Sequence, residues 1–233
     1  MKSVRFLSAA LIGVVFLSSV PIAQSAATPK PSPIEKLGDN VYRVGSIRVD
    51  TAKRELSVPG KVNPVTVLEF IANPTDGMKA YESAITVDTN AITFNAALLL
   101  LGLDPSHGRR GVTRMEGVAG DPVEIWIDTP IPTAQHIRAE RLIYSQETKE
   151  TATDDTWVFT GSSFLPPPDG RFRADADGVL IGFVHDLASI IEISHPVGLG
   201  QYGITVLNPT LGLTPGMPVT LTVKAIGAPP KPH

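Results

Sequence analysis

Only one stretch of this chain, residues 90–103, reads as a helix, and it is apolar on nearly every face. Good helix formers and apolar residues fill it, including Leu98-Leu99-Leu100-Leu101. Thr89 or Asn90 can accept hydrogen bonds from the orphan N–H groups of its first turn, and Gly102 lies near its C-terminal end. A helix with no polar face must be covered by other elements. The rest of the chain offers strands to do so. Ile47 and Val49 alternate with Arg48 and Asp50, and Glu55-Leu56-Ser57-Val58 alternates before Pro59-Gly60, which reads as a turn. Val65-Thr66-Val67-Leu68-Glu69-Phe70-Ile71 and Tyr81-Glu82-Ser83-Ala84-Ile85-Thr86-Val87 flank Asn73-Pro74-Thr75-Asp76-Gly77, a turn cluster of hairpin length. Further strand-like runs lie at 123–128, 141–145, 157–160, 179–185, 190–193, 204–207 and 219–226. The order predicts an α+β fold, mainly antiparallel β with one buried apolar helix at about 90–103, in a single β-rich domain over 41–226.

Both ends differ from this middle. Lys2 and Arg5 precede an apolar run over 6–20, Pro21 closes it, and small residues follow at Ala23, Ser25 and Ala27. Charge, apolar core and small-residue exit form the pattern of a cleaved signal peptide over 1–27. The apolar run is shorter than the roughly 20 residues of a spanning helix. The expected location is therefore periplasmic or secreted, with no membrane span after cleavage and no cysteine at the exit site to take a lipid. Residues 28–40 and 227–233 are proline-rich and read as an extended linker and tail.

Cleavage removes Lys2 and Arg5 and no acid, so the formal charge falls from −3 to −5. An acidic balance gives no support to nucleic-acid binding, which needs a concentrated basic surface. Cysteine is absent, which rules out Fe–S clusters held by cysteine, zinc–thiolate sites and thiol nucleophiles. No cofactor is expected from any motif.

Few residues suggest chemistry. If the hairpin closes symmetrically around 74–77, Glu69 and Glu82 face each other. Two carboxylates so placed need a cation, a shared proton or intervening basic groups. They are the candidate acidic pair, with His107 or His185 available to complete a site. A long glycine-rich loop over 106–120 carries Arg109, Arg110 and Arg114, a candidate anion-binding loop whose plainer reading is solvated surface. Asp175-Ala176-Asp177-Gly178 fails as an EF-hand, since Arg173 and Val184 would occupy ligand positions, and reads instead as a hairpin turn at Asp177-Gly178. Gly198, Gly200 and Gly203 match G-x-G-x-x-G, but no helix follows, so this is a loop. H-E-x-x-H and G-x-S-x-G are both absent, although a triad can still assemble from distant residues. Trp157 and Phe159 share one strand face and are expected in the core.

Several segments taken in order resemble the YdjY-domain family of bacterial proteins: Val58-Pro59-Gly60-Lys61-Val62-Asn63, Leu68-Glu69-Phe70, Tyr81-Glu82-Ser83, Ala96-Ala97-Leu98-Leu99-Leu100-Leu101-Gly102-Leu103, Trp157-Val158-Phe159-Thr160-Gly161-Ser162 and Ala174-Asp175-Ala176-Asp177-Gly178. The resemblance spans most of residues 45–190. It implies an exported domain of unestablished function and carries over no catalytic residue. The leading expectation is a non-catalytic binding or interaction module, its partner an extracytoplasmic protein or envelope ligand. The alternative is an extracytoplasmic hydrolase or metal-dependent enzyme using Glu69 and Glu82. The absence of strong catalytic signatures leans away from an enzyme.

Overall fold

The computed structural model describes residues 29–113, 115–130, 134–153, 155–195, 197 and 202–227. The expected signal peptide, Arg114, Gly198, Gly200 and the residues beyond 227 lie outside the described residues. Among the described residues, fourteen strands and two α-helices follow in chain order: β1 Ile34–Gly38, β2 Val41–Val44, β3 Ile47–Asp50, β4 Glu55–Val62, β5 Phe70–Pro74, β6 Ser83–Val87, α1 Ala91–Leu100, β7 Asp121–Asp128, β8 His136–Arg138, β9 Ile143–Ser145, β10 Trp157–Phe159, α2 Arg173–Asp177, β11 Ile181–Gly182, β12 Ile191–Ile193, β13 Thr205–Leu207 and β14 Pro218–Ala225.

The expected content is largely present, but the expected sheet is closed on itself. Hydrogen-bonded neighbours run β4-β14-β7-β10-β12-β11-β5-β6, and β6 returns to β4, giving an eight-stranded barrel. Closure leaves no open edge in the ring. The three strands β1–β3 form a meander that joins the N-terminal half of β4, while β6 joins its C-terminal half. Pro59-Gly60 is therefore no turn. It lies inside β4 where that edge changes partner, and a Cβ on Gly60 would sit 2.7 Å from the Thr86 carbonyl of β6. The linker expected over 28–40 is strand at β1, exposed along its whole length.

Alternation works as anticipated in the long strands. Val123, Ile125 and Ile127 of β7 and Val219, Leu221 and Val223 of β14 point inward, while Glu124 and Trp126 stay half-buried outside. Trp157 and Phe159 of β10 are fully buried, and the Trp157 indole N–H donates to the Glu140 carboxylate at 3.0 Å. Helix α1 begins one residue later and ends three earlier than expected. Asn90 caps it by accepting from the Thr93 N–H at 2.9 Å, and Phe94, Ala97 and Leu98 join the barrel's apolar cluster. Its burial is not complete, because Leu99 is exposed.

Two local expectations are corrected. The runs either side of Asn73-Gly77 do not form a hairpin: β5 and β6 pair in parallel, with Ala72 opposite Ile85, and the 3₁₀ turn Met78–Glu82 sits in a short crossover between them. Asp177-Gly178 is not a hairpin turn either. Gly178 (φ 73°) is the left-handed C-cap of α2, and a Cβ there would lie 2.5 Å from the Met78 N. Glycine is needed for both the dihedral and the close approach. A second parallel pair, β11 with β12, is made by the connection over 183–190. Barrel closure, not local turn geometry, decides both parallel pairings.

Candidate functional site

Glu69 and Glu82 are neighbours, through a parallel ladder instead of a hairpin: the Glu69 N–H donates to the Glu82 carbonyl at 2.9 Å. Glu82 is buried and its carboxylate pairs with Lys79, whose ammonium also lies 5.8 Å from the Phe70 ring centroid. Glu69 is half-buried. The Tyr202 hydroxyl is held above its usual pKa by desolvation first, then by repulsion from Glu82 and Glu69, so both carboxylates act on one hydroxyl. Neither acid lines the four hollows of about 390–650 Å³ found on the described surface. Among the described residues, no group of three or more His, Asp or Glu is arranged to hold a metal ion.

His107 and His185 stand apart from that pair. His107 Nδ1 lies 2.6 Å from Asp121, a hydrogen bond that raises the pKa of this exposed ring. His185 is buried, with Nδ1 3.0 Å from the Glu116 carbonyl and Nε2 2.8 Å from the Ile193 carbonyl.

The arginine loop is built, not merely solvated. Arg109 and Ala119 exchange backbone hydrogen bonds of 2.9 Å in each direction and close it. The Glu116 carboxylate accepts from the N–H groups of Val112 and Thr113, bonds that lower its pKa. Arg109 donates to the Ser106 and Gly108 carbonyls. Arg110 reaches inward: Nε donates to fully buried Glu192 at 2.6 Å, and Nη2 reaches Thr160, Gly161 and Ser189. Burial pushes the Glu192 carboxyl up, and the Arg110 guanidinium opposes that shift. Arg110 thus laces the loop to β10 and β12, with most of its donors already engaged.

That lacing leaves a cleft of about 420 Å³ between the loop, α2 and the 183–190 connection. Its walls include Arg173 and Asp177, one helical turn apart on the same face. They do not pair. The Arg173 Nε is buried without a hydrogen-bond partner, and that side chain makes no ion pair among the described residues. Asp177 has no hydrogen bond supporting its charge, and its pKa is raised by burial first, against the pull of Arg173. Asp186 is already committed on one oxygen, which accepts from the Ala188 and Ser189 N–H groups. Val112 and Leu187 form an apolar rim, 96% and 63% exposed. Neither Arg173 nor Asp177 was a sequence candidate. Their one legible signal, an Arg–Asp spacing of four, required knowing that the segment is helical.

Other clusters are already satisfied. A hollow of about 650 Å³ beside the N-terminus of α1 includes Asp175 and Arg171. Asp175 there accepts from the Ala91 and Ile92 N–H groups at 2.7 and 3.1 Å, and Arg171 is bonded to Asp169. Ser194, His195 and Asp155 do come together, but His195 Nδ1 faces both the Ser194 hydroxyl (3.0 Å) and Asp155 (3.1 Å). A catalytic triad uses the two ring nitrogens for the two partners, so this wiring is wrong for one. Trp126 is stacked by His136 at 4.1 Å, with the Arg138 guanidinium 5.2 Å from its ring centroid.

With this geometry in view, the family comparison is decisive on membership alone. The YdjY domain matches residues 47–191, more than half of the chain. The chain belongs to the YdjY-domain family. No curated protein and no solved structure matches it. The YdjY match ends at the last residue but two of β12 and leaves out β14, which closes the barrel between β4 and β7. No helix among the described residues is long and apolar enough to cross a membrane.

Proposed function

We propose that this YdjY-domain protein is an exported, non-catalytic binding module whose ligand site is the cleft bounded by Arg110, Val112, Arg173, Asp177 and Leu187. The observation that carries the reading is the pair of unsatisfied opposite charges, Arg173 and Asp177, in a hollow of about 420 Å³ with an apolar rim. Small-molecule sites are concave hollows of this size with a few convergent polar groups. The hydroxyl that lines the cleft, Thr113, donates to Glu116, a carboxylate whose lowered pKa makes it a weak base, which favours binding over turnover. Export rests on the pattern of residues 1–27.

A rival hydrolase or metal site at Glu69 and Glu82 has the shared influence on Tyr202 in its favour. Against it, Glu82 is already neutralised by Lys79. Titrating the isotope-labelled mature chain with a mixed set of charged and neutral small molecules tests the cleft directly. Resonance shifts should concentrate at Val112, His185 and Leu187. Shifts confined to Tyr81 and Tyr202, or turnover of an envelope substrate lost in Glu82→Gln, would favour the rival instead. Cell fractionation should recover the processed chain outside the cytoplasm, and an unprocessed cytoplasmic chain would defeat the export reading.

A further inference from the structure

The geometry points to a small zwitterion of the α-amino-acid type as the cleft's ligand, with its carboxylate on Arg173, its ammonium on Asp177 and its side chain against Val112 and Leu187. This rests on the cleft being the binding site and adds what the site selects. The two charges lie one turn apart on the same face of α2, yet they are not bonded to each other. A ligand carrying both complementary charges reaches both in one encounter.

Other ligand classes fit less well. A phosphate-like dianion would meet Arg173 but be repelled by Asp177 and Asp186, and Arg110 is already held by Glu192. A bare metal cation would meet Arg173 facing the same cavity, and no metal-binding cluster occurs among the described residues. An uncharged apolar ligand would leave a guanidinium and a carboxylate desolvated without partners, which is costly. A zwitterion answers both charges with charge-assisted hydrogen bonds. The rim then selects by size: Val112 and Leu187 suit an aliphatic side chain better than a charged one.

The test is a titration of the full mature chain, observed at the Arg173 Nε–H and at the Val112 and Leu187 methyl resonances. The probes are L-leucine, N-acetyl-L-leucine, which lacks the cation, and L-leucinamide, which lacks the anion. Leucine should shift all three sets of resonances. Each derivative should bind about tenfold or more weakly, the effect of losing one charge-assisted contact. In Asp177→Asn the preference for leucine over N-acetyl-leucine should vanish, and in Arg173→Gln the preference over leucinamide should vanish. These are ratios within one variant, so altered stability does not imitate them.

Equal binding of leucine and either derivative to the unaltered protein would overturn the zwitterion assignment. So would silence of the cleft resonances toward all three probes. If the mixed small-molecule set still shifts the cleft, the binding-site reading survives and only the ligand class falls. If nothing shifts it, both fall.

Discussion

At Trp157 a single indole serves both packing and polarity. It is fully buried, yet its N–H meets the equally buried carboxylate of Glu140, which Arg138 in turn pairs. Truncation to alanine should cost roughly 3–5 kcal/mol by urea unfolding, since it opens a large cavity. In a Trp126→Phe background, iodide should leave the Trp157 fluorescence unquenched; strong quenching would contradict its burial. Asp177 gives a pH prediction of opposite character. Its folded pKa is raised by burial, so the folded state holds the proton more tightly than the unfolded chain. The protonated carboxyl favours folding at pH below the ordinary aspartate value, and that contribution is lost as pH rises through the raised one. Asp177→Asn should therefore gain in melting temperature relative to the unaltered protein as pH rises across that window, and the gap should stay constant above it. A gap that shrinks with rising pH would refute the sign. Trp157 was legible in the sequence because alternation alone places it with Phe159 inside. Asp177 was not, because nothing local reveals whether a charged side chain finds a partner.

The elements show what pattern can and cannot specify. Alternating runs mark β7 and β14 as half-buried strands whatever their neighbours, and that part of the sequence reading stands. The direction of pairing is another matter. The run 81–87 carries the same alternation whether its neighbour runs parallel or antiparallel, so a nearby turn cluster suggested a hairpin that the barrel does not use. Glu69 and Glu82 end up adjacent by a register that the hairpin argument did not contain. Helix α1 was legible through its apolar run and its Asn90 cap, but most of its N-terminal side-chain capping comes from α2. Asp175 accepts from two of the first N–H groups, while Asn90 accepts from a third. Asn90→Ala should cost about 1 kcal/mol. Asp175→Ala, which removes two charge-assisted bonds, should cost more, about 1.5–3 kcal/mol. Chemical unfolding of both variants checks this, and an Asp175→Ala protein as stable as its parent would show that the cap contributes nothing.

Over the whole molecule, closure is the controlling fact. The chain first enters the ring at β4 and completes it only at β14, which lies between β4 and β7 and beyond the matched 47–191 segment. A chain ending at 191 would leave the inward rows of β4 and β7 uncovered along the missing strand. We expect a 47–191 fragment to lack a cooperative thermal transition by circular dichroism, and extension to 227 to restore it; cooperative melting of the fragment would show that β14 is dispensable. By itself the sequence determined that this is a mainly β protein with one long apolar helix, a cysteine-free core and no recognisable catalytic motif. Those properties depend on local periodicity and on which residue types are present. Only the tertiary structure decided that the sheet is a barrel, that two of its pairings are parallel, that Arg110 is a lacing group and that Arg173 and Asp177 face one cleft unpaired. Each depends on which distant segments meet, and hydrogen bonds and charge pairs across such sequence separations leave no periodic trace in the chain.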